Sequence, residues 1–108
     1  MPIKKARNHY LGKENCPRLN CAQAVLAGFD TPENIIDEFT LYGSGNAPDG
    51  WCGAAYATAY LLKNKAFVEK YFTEKAGSVK CQEIRANKKL SCIGCVEKSA
   101  ELVKDYFF

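Results

Sequence analysis

The amino-acid sequence predicts an all-α fold, a small bundle of about five to six helices around a central apolar helix that starts at Cys52. Three observations predict it. Apolar residues recur at helical spacing almost throughout; Ala, Leu, Glu and Lys dominate; and apolar–polar alternation never runs beyond a few positions, as a half-buried strand would require. With no internal repeat, low-complexity tract or linker, residues 1–108 read as a single cysteine-rich helical domain, 1–13 being a flexible N-terminal segment.

Each element has its own signal. Asn20 can cap a helix over about 21–29, where Cys21, Val25 and Phe29 share one face and Cys21 looks inward. Thr31-Pro32-Glu33 supplies a cap, a proline tolerated in the first turn and an early acid, so a second helix starts there and ends near 41–43. Gly43 to Gly50 is rich in residues that break regular structure and reads as a loop. It is not a nucleotide loop: Trp51 follows Gly50 where a phosphate-binding loop needs Lys, and Pro48 takes the third glycine position of a dinucleotide fingerprint.

The helix from Cys52 to about Lys63 is apolar on all sides except at Thr58, which places it in the middle, and its alanines let neighbours approach closely. Ala66 to Lys75 carries Phe67, Val68, Tyr71 and Phe72 on one stripe, and Gly77 stops it. Ser78 is placed to cap a short helix containing Cys81, Ile84 and Arg85. Ser91 is placed to cap the last helix, Cys92 to about Tyr106, whose apolar and polar residues fill opposite halves of the wheel. Cys92 falls at the centre of the buried half and Cys95 toward its edge.

A domain of 108 residues, 47% of them apolar, can build a core without staples, so the six cysteines at 16, 21, 52, 81, 92 and 95 need another explanation. No apolar run follows the start, and none is long enough to span a membrane, so the expectation is a soluble, cytoplasmic chain. Thiols there stay reduced, and a high count points to metal ligation or redox chemistry. The net charge of +3 is small and scattered, which excludes the basic footprint of a nucleic-acid binder. His9 is the single histidine and lies in the N-terminal segment; no Ser, His and Asp set or carboxylate pair supports hydrolysis.

Cysteine reacts and ligates as thiolate, which a helix start favours through its free N–H groups and dipole. Cys52, Cys81 and Cys92 all occupy such positions, and in Cys92-Ile93-Gly94-Cys95 the second thiol lies one turn beyond the first. Cys52, between the glycines of Gly50-Trp51-Cys52-Gly53, suits a sulfur ligand or nucleophile better than a packing residue.

Asn20-Cys21-Ala22-Gln23-Ala24-Val25-Leu26, Cys52-Gly53-Ala54, Gly77-Ser78 before Cys81, and Cys92 followed by Val96 and Ala100 resemble the redox-active proteins of the C_GCAxxG_C_C family. The resemblance spans about residues 14–105 and implies that Cys21, Cys52, Cys81 and Cys92 are the motif cysteines. Ala57 stands where the motif has its last glycine, the glycine-rich approach is diluted by Asn46 to Asp49 and Trp51, and Cys16 and Cys95 lie outside the pattern, as accessory or resolving thiols. A similar four-cysteine region occurs in split-Soret cytochromes, where an iron–sulfur centre is suspected.

The expectation is a thiol-dependent oxidoreductase or electron-transfer protein. Cys21, Cys52, Cys81, Cys92 and Cys95 would cycle between dithiol and disulfide, or the four motif cysteines would hold an iron–sulfur cluster. An unidentified redox protein would be its partner, with no nucleic acid or membrane bound. One alternative is a structural zinc domain with Cys16, Cys21, Cys92 and Cys95 as ligands. The other is a helical interaction module using Tyr10, Tyr42, Trp51 and Phe108. A homodimer is expected if apolar patches around Trp51 or Tyr106-Phe107-Phe108 stay uncovered.

Overall fold

A computed structural model describes residues 2–43 and 46–107. Seven α-helices run through them: α1 Pro2–Leu11, α2 Cys21–Gly28, α3 Glu33–Glu38, α4 Gly53–Leu62, α5 Lys65–Ala76, α6 Cys81–Asn87 and α7 Cys92–Phe107. Two 3-10 turns, Thr40–Tyr42 and Pro48–Gly50, connect α3 to α4. The fold is all-α, as the periodicity predicts. Ser44, Gly45 and Phe108, named in the loop and patch readings, lie outside the described residues.

The apolar helix α4 takes the central place, packed against α2, α5 and α7. Its small residues Gly53, Ala54, Ala55, Ala57 and Ala59 are all buried, so neighbouring backbones come close. The hydroxyl of buried Thr58 donates to the Ala54 carbonyl at 2.8 Å, which satisfies it within its own helix.

The segment expected to be flexible is instead helix α1, laid against α2 and α7. Its sequence is polar enough to suggest a free end, but the contact is made by small residues. Ala6 is fully buried, and a Cβ on Gly28 of α2 would stand 2.8 Å from the Ala6 Cβ and 2.8 Å from the Pro2 carbonyl. Ile3 and Tyr10 flank this contact at helical spacing, but they are only partly buried and stand among charged residues, which makes the stripe short and easily overlooked.

Asn20 caps α2 as predicted, in a reciprocal capping box with Gln23: the Gln23 N–H donates to Asn20 Oδ1 at 2.8 Å and the Asn20 N–H to Gln23 Oε1 at 3.3 Å. The same two amides reach further. Asn20 Nδ2 donates to the Phe39 and Thr40 carbonyls and Gln23 Nε2 to the Ile36 carbonyl, fastening the start of α2 to the turn after α3. That turn departs from the prediction, because α3 closes at Glu38 and hands over to the 3-10 turn. Thr31 does not cap α3; Pro32 is its N-cap and the Thr31 hydroxyl is buried without a partner.

Ser78 also acts differently from expectation. Helix α6 begins after Lys80, and the Ser78 hydroxyl donates to Glu83 at 2.6 Å while accepting the Lys80 N–H at 3.0 Å, so it shapes the turn before the helix. Ser91 does cap α7, accepting the Gly94 N–H at 3.0 Å. Trp51 pairs with Lys80 in an isolated antiparallel bridge, and the Cys52 N–H donates to the Val79 carbonyl at 2.8 Å. This pairing buries Trp51 and ties the approach to α4 to the approach to α6. No described helix is long and apolar enough to cross a membrane.

Candidate thiol site

The starts of four helices meet at one cavity of about 390 Å³. Cys21 opens α2, Cys52 is the N-cap residue of α4, Cys81 opens α6, and Cys92 and Cys95 occupy the first turn of α7; all five line the cavity. Residues spread over 75 positions of sequence, from Cys21 to Cys95, are thus brought together. Cys16 is not among the lining residues, so the set Cys16, Cys21, Cys92 and Cys95 is not gathered there.

Three local devices hold the sulfurs. The capping box fixes the first turn of α2 and with it Cys21. The Trp51–Lys80 bridge sets Cys52 beside the strand-like run into Cys81. Gly53 allows the closest approach, since a Cβ there would lie 2.7 Å from Cys21 Sγ and 2.5 Å from the Tyr42 carbonyl oxygen. The glycine after Cys52 is therefore a spacing requirement of the site.

The thiols differ in depth. Cys95 is 2% exposed and Cys52 6%, whereas Cys92 and Cys21 are half-buried. This reverses the order expected on α7: Cys92, which opens the helix, is half-buried, and Cys95, one turn in, is buried and hydrogen-bonded to Cys52. A helical wheel ranks residues by their neighbours in sequence and takes no account of where a helix begins.

The helix-start argument for thiolates also needs correction at two positions. Cys52 has its pKa pushed well above the ordinary thiol value by its hydrogen bond with Cys95, then by burial and by the charge Cys95 can carry. The first-turn amides of Ala55 and Ala54 pull the other way without capping the sulfur, and they lose. Burial likewise raises Cys81, opposed by the Arg85 guanidinium and reinforced by Cys52, Cys92 and Cys21. Several sulfurs in one dry space resist ionising together.

A titration follows from this. The folded chain holds the Cys52 and Cys81 protons more tightly than the unfolded chain, so the neutral thiols favour the folded state below the ordinary thiol range, and that advantage drains away as pH rises through it. Urea midpoints measured from pH 7 to 10 are expected to fall above about pH 8.5, and to fall less in a Cys52→Ala chain. A flat profile would contradict the assigned environment.

Two further side chains belong to the site. Arg85 projects from α6, with its Nη2 donating to Cys92 Sγ at 3.8 Å, and Cys92 in turn raises the Arg85 pKa. Tyr10 of α1 hydrogen-bonds Cys92, and its phenol is raised by burial first and then by Cys92. Arg18, from the loop after α1, lowers the Tyr10 pKa by its charge and lines the same cavity. Tyr10 and Arg18 are invisible in a reading that treats the N-terminus as free. Arg85 carries a signal, four residues after Cys81 and thus on the same helical face.

Among the described residues, no three Cys, His, Asp or Glu side chains form a group that could hold a metal ion. His9 faces the Pro17 carbonyl at 3.0 Å. Comparison with known proteins finds no matching family model, no matching curated protein and no matching solved structure. The interaction-module residues are otherwise engaged: Trp51 is in the core, Tyr42 packs edge-on against Phe39 at 5.2 Å, and Tyr10 lines the thiol cavity. The uncovered apolar surface that remains near the C-terminus is Tyr106 and Phe107, with Phe67 beside them.

Proposed function

We propose that the chain is a thiol-dependent redox protein working by dithiol–disulfide exchange in this cavity. The observation that supports the reading is the gathering of five sulfurs at unequal depth, one of the two half-buried ones beside a guanidinium. Reactive cysteines sit in electropositive, partly exposed surroundings, and Cys92 beside Arg85 is the group of that kind. It attacks an incoming disulfide, forming a Cys92–substrate disulfide and releasing one substrate thiolate. Cys95 then attacks Cys92 Sγ, the second substrate thiolate leaves, and the Cys92–Cys95 disulfide closes. The two protons given up by the protein thiols pass to the departing thiolates, so the substrate gains the two electrons that the protein loses. Cys52, hydrogen-bonded to Cys95, takes over the bond only slowly because its proton is held tightly, and when it does so Cys92 returns to the thiol.

The test is a thiol count. One equivalent of a small disulfide should consume two protein thiols, with peptide mapping locating the new bond among Cys92, Cys95 and Cys52. A chain that keeps all its thiols, or that only accumulates mixed disulfides, would overturn the reading.

A second reading, electron transfer through an iron–sulfur cluster, draws on the four motif cysteines. Cys21, Cys52, Cys81 and Cys92 come from four helices and surround one space, and a four-iron cluster grips each iron through one thiolate, so no tight triad is needed. A single zinc ion suits this spread less well. The cluster, when bound, would supply one-electron chemistry; the chain would supply four thiolates and, from Arg85, a compensating charge. Iron and a visible absorption band after anaerobic purification would favour this reading over the first.

A further inference from the structure

We infer that the substrate is a small disulfide carrying negative charge, such as one bearing carboxylates, a conclusion that rests on the dithiol reading of the site. Arg18 and Arg85 both line the cavity, and no Asp or Glu is among its lining residues. Neither guanidinium pairs with a carboxylate among the described residues, although elsewhere on the surface Arg7 does so with Glu97 and four lysines pair with carboxylates. With a net charge of only +3 over the whole chain, two unneutralised cations at one opening are a local feature.

The backbone adds to this field. The N-terminal ends of α2, α4 and α7 are where Cys21, Cys52 and Cys92 meet the cavity, so three helices turn their positive ends toward it. Cys52 and Cys81 do not cancel this charge, because burial keeps them protonated in the neutral range; the attacking Cys92 offsets Arg85 alone, and Arg18 and the helix ends remain. A volume of about 390 Å³ lies in the range of small-molecule sites, with room for a low-molecular-weight compound rather than a folded partner's loop. Arg85 then serves twice. It lies 3.8 Å from Cys92 Sγ, so an anionic group drawn to it brings the substrate's sulfur–sulfur bond to the attacking sulfur.

The chemistry remains the exchange already described: the substrate's disulfide bond breaks, Cys92–Cys95 forms, and two anionic thiols leave. The test uses the reduced full chain and three simple probes, dithiodipropionate (a dianion), hydroxyethyl disulfide (neutral) and cystamine (a dication). Each rate is divided by that of free mercaptoethanol with the same probe, which removes the probes' differing intrinsic reactivity. The expected result is a preference of about tenfold or more for the dianion over the dication at low salt, as focused fields give, weakening as salt is raised. In a chain carrying both R18A and R85A the ratio should fall several-fold toward the remainder that the helix ends sustain, and R18K with R85K should retain most of it. The ratio is decisive because losing Arg85 slows Cys92 toward every probe.

Equal normalised rates in the natural chain, or a preference undiminished in the double alanine variant, would overturn the inference. The neutral probe keeps the two levels apart. If Cys92→Ser leaves its reaction untouched, the dithiol reading fails and this inference with it; if Cys92→Ser stops it while no charge preference exists, the inference alone fails.

Discussion

Replacing Cys95 with alanine should arrest exchange after its first step, leaving the probe joined to Cys92 as a stable mixed disulfide. In the natural chain Cys95 lies one turn from Cys92 on α7, and its attack is intramolecular. Without it, resolution falls to thiols in solution or to the other cavity sulfurs. The latter are poor substitutes, because burial raises the pKa of both Cys52 and Cys81, and a thiol that stays protonated is a weak nucleophile. Loss of an oriented intramolecular partner should slow release of the second substrate thiol by on the order of a hundredfold or more. Intact-mass measurement should find one probe half per chain, and peptide mapping should place it on Cys92. Rapid turnover without Cys95 would make Cys52, Cys81 or Cys21 the resolving thiol and break the proposed order. Removing Cys95 also takes away the leading cause of the raised Cys52 pKa, so Cys52 should titrate lower in this variant while burial still holds it up.

The same residues show what a sequence can and cannot disclose. The half-apolar wheel of α7, the all-round apolar α4 and the caps Asn20 and Ser91 are local patterns, each readable within one or two turns, and each appears in the fold. The depth order of Cys92 and Cys95 is not local, since it depends on the cavity opening where α7 starts. Nor is the packing of α1, whose closest approach is Ala6 against Gly28 and whose apolar stripe is only Ile3, Ala6 and Tyr10 among charged neighbours.

The meeting of the sulfurs lies between these extremes. Resemblance selects Cys21, Cys52, Cys81 and Cys92, and helix-start positions single out three of them, but what joins α4 to α6 is the Trp51–Lys80 bridge, two residues pairing outside any strand. Trp51, a partner contact only in the interaction-module reading, is buried in the core beside that pairing. The pKa directions were unreadable for a related reason: a helix start lowers a thiol's pKa only when its surroundings are wet or cationic, and dryness is a property of the assembled fold.

Gly53→Ala should both destabilise the fold and disturb the thiol site. The added carbon would stand 2.5 Å from the Tyr42 carbonyl oxygen and 2.7 Å from Cys21 Sγ. Neither neighbour gives way easily. The carbonyl is backbone, and Cys21 belongs to the first turn of α2, which the Asn20–Gln23 capping box locks to the turn holding Tyr42. Alanine is otherwise the better helix former, so propensity favours the change and sterics oppose it. Overpacking a tight core costs about 1–3 kcal/mol, and the urea midpoint should drop accordingly. The distinguishing readout is Cys21, whose rate of alkylation should change as its sulfur is displaced from the cavity. Gly28→Ala provides the comparison, since its Cβ would meet Ala6 and the Pro2 carbonyl at 2.8 Å each, at the opposite end of α2, about 10 Å away along the axis. It should lose stability to a similar degree and leave Cys21 alkylation unchanged. If both variants alter Cys21 equally, Gly53 is a packing glycine and its close approach to Cys21 carries no chemistry.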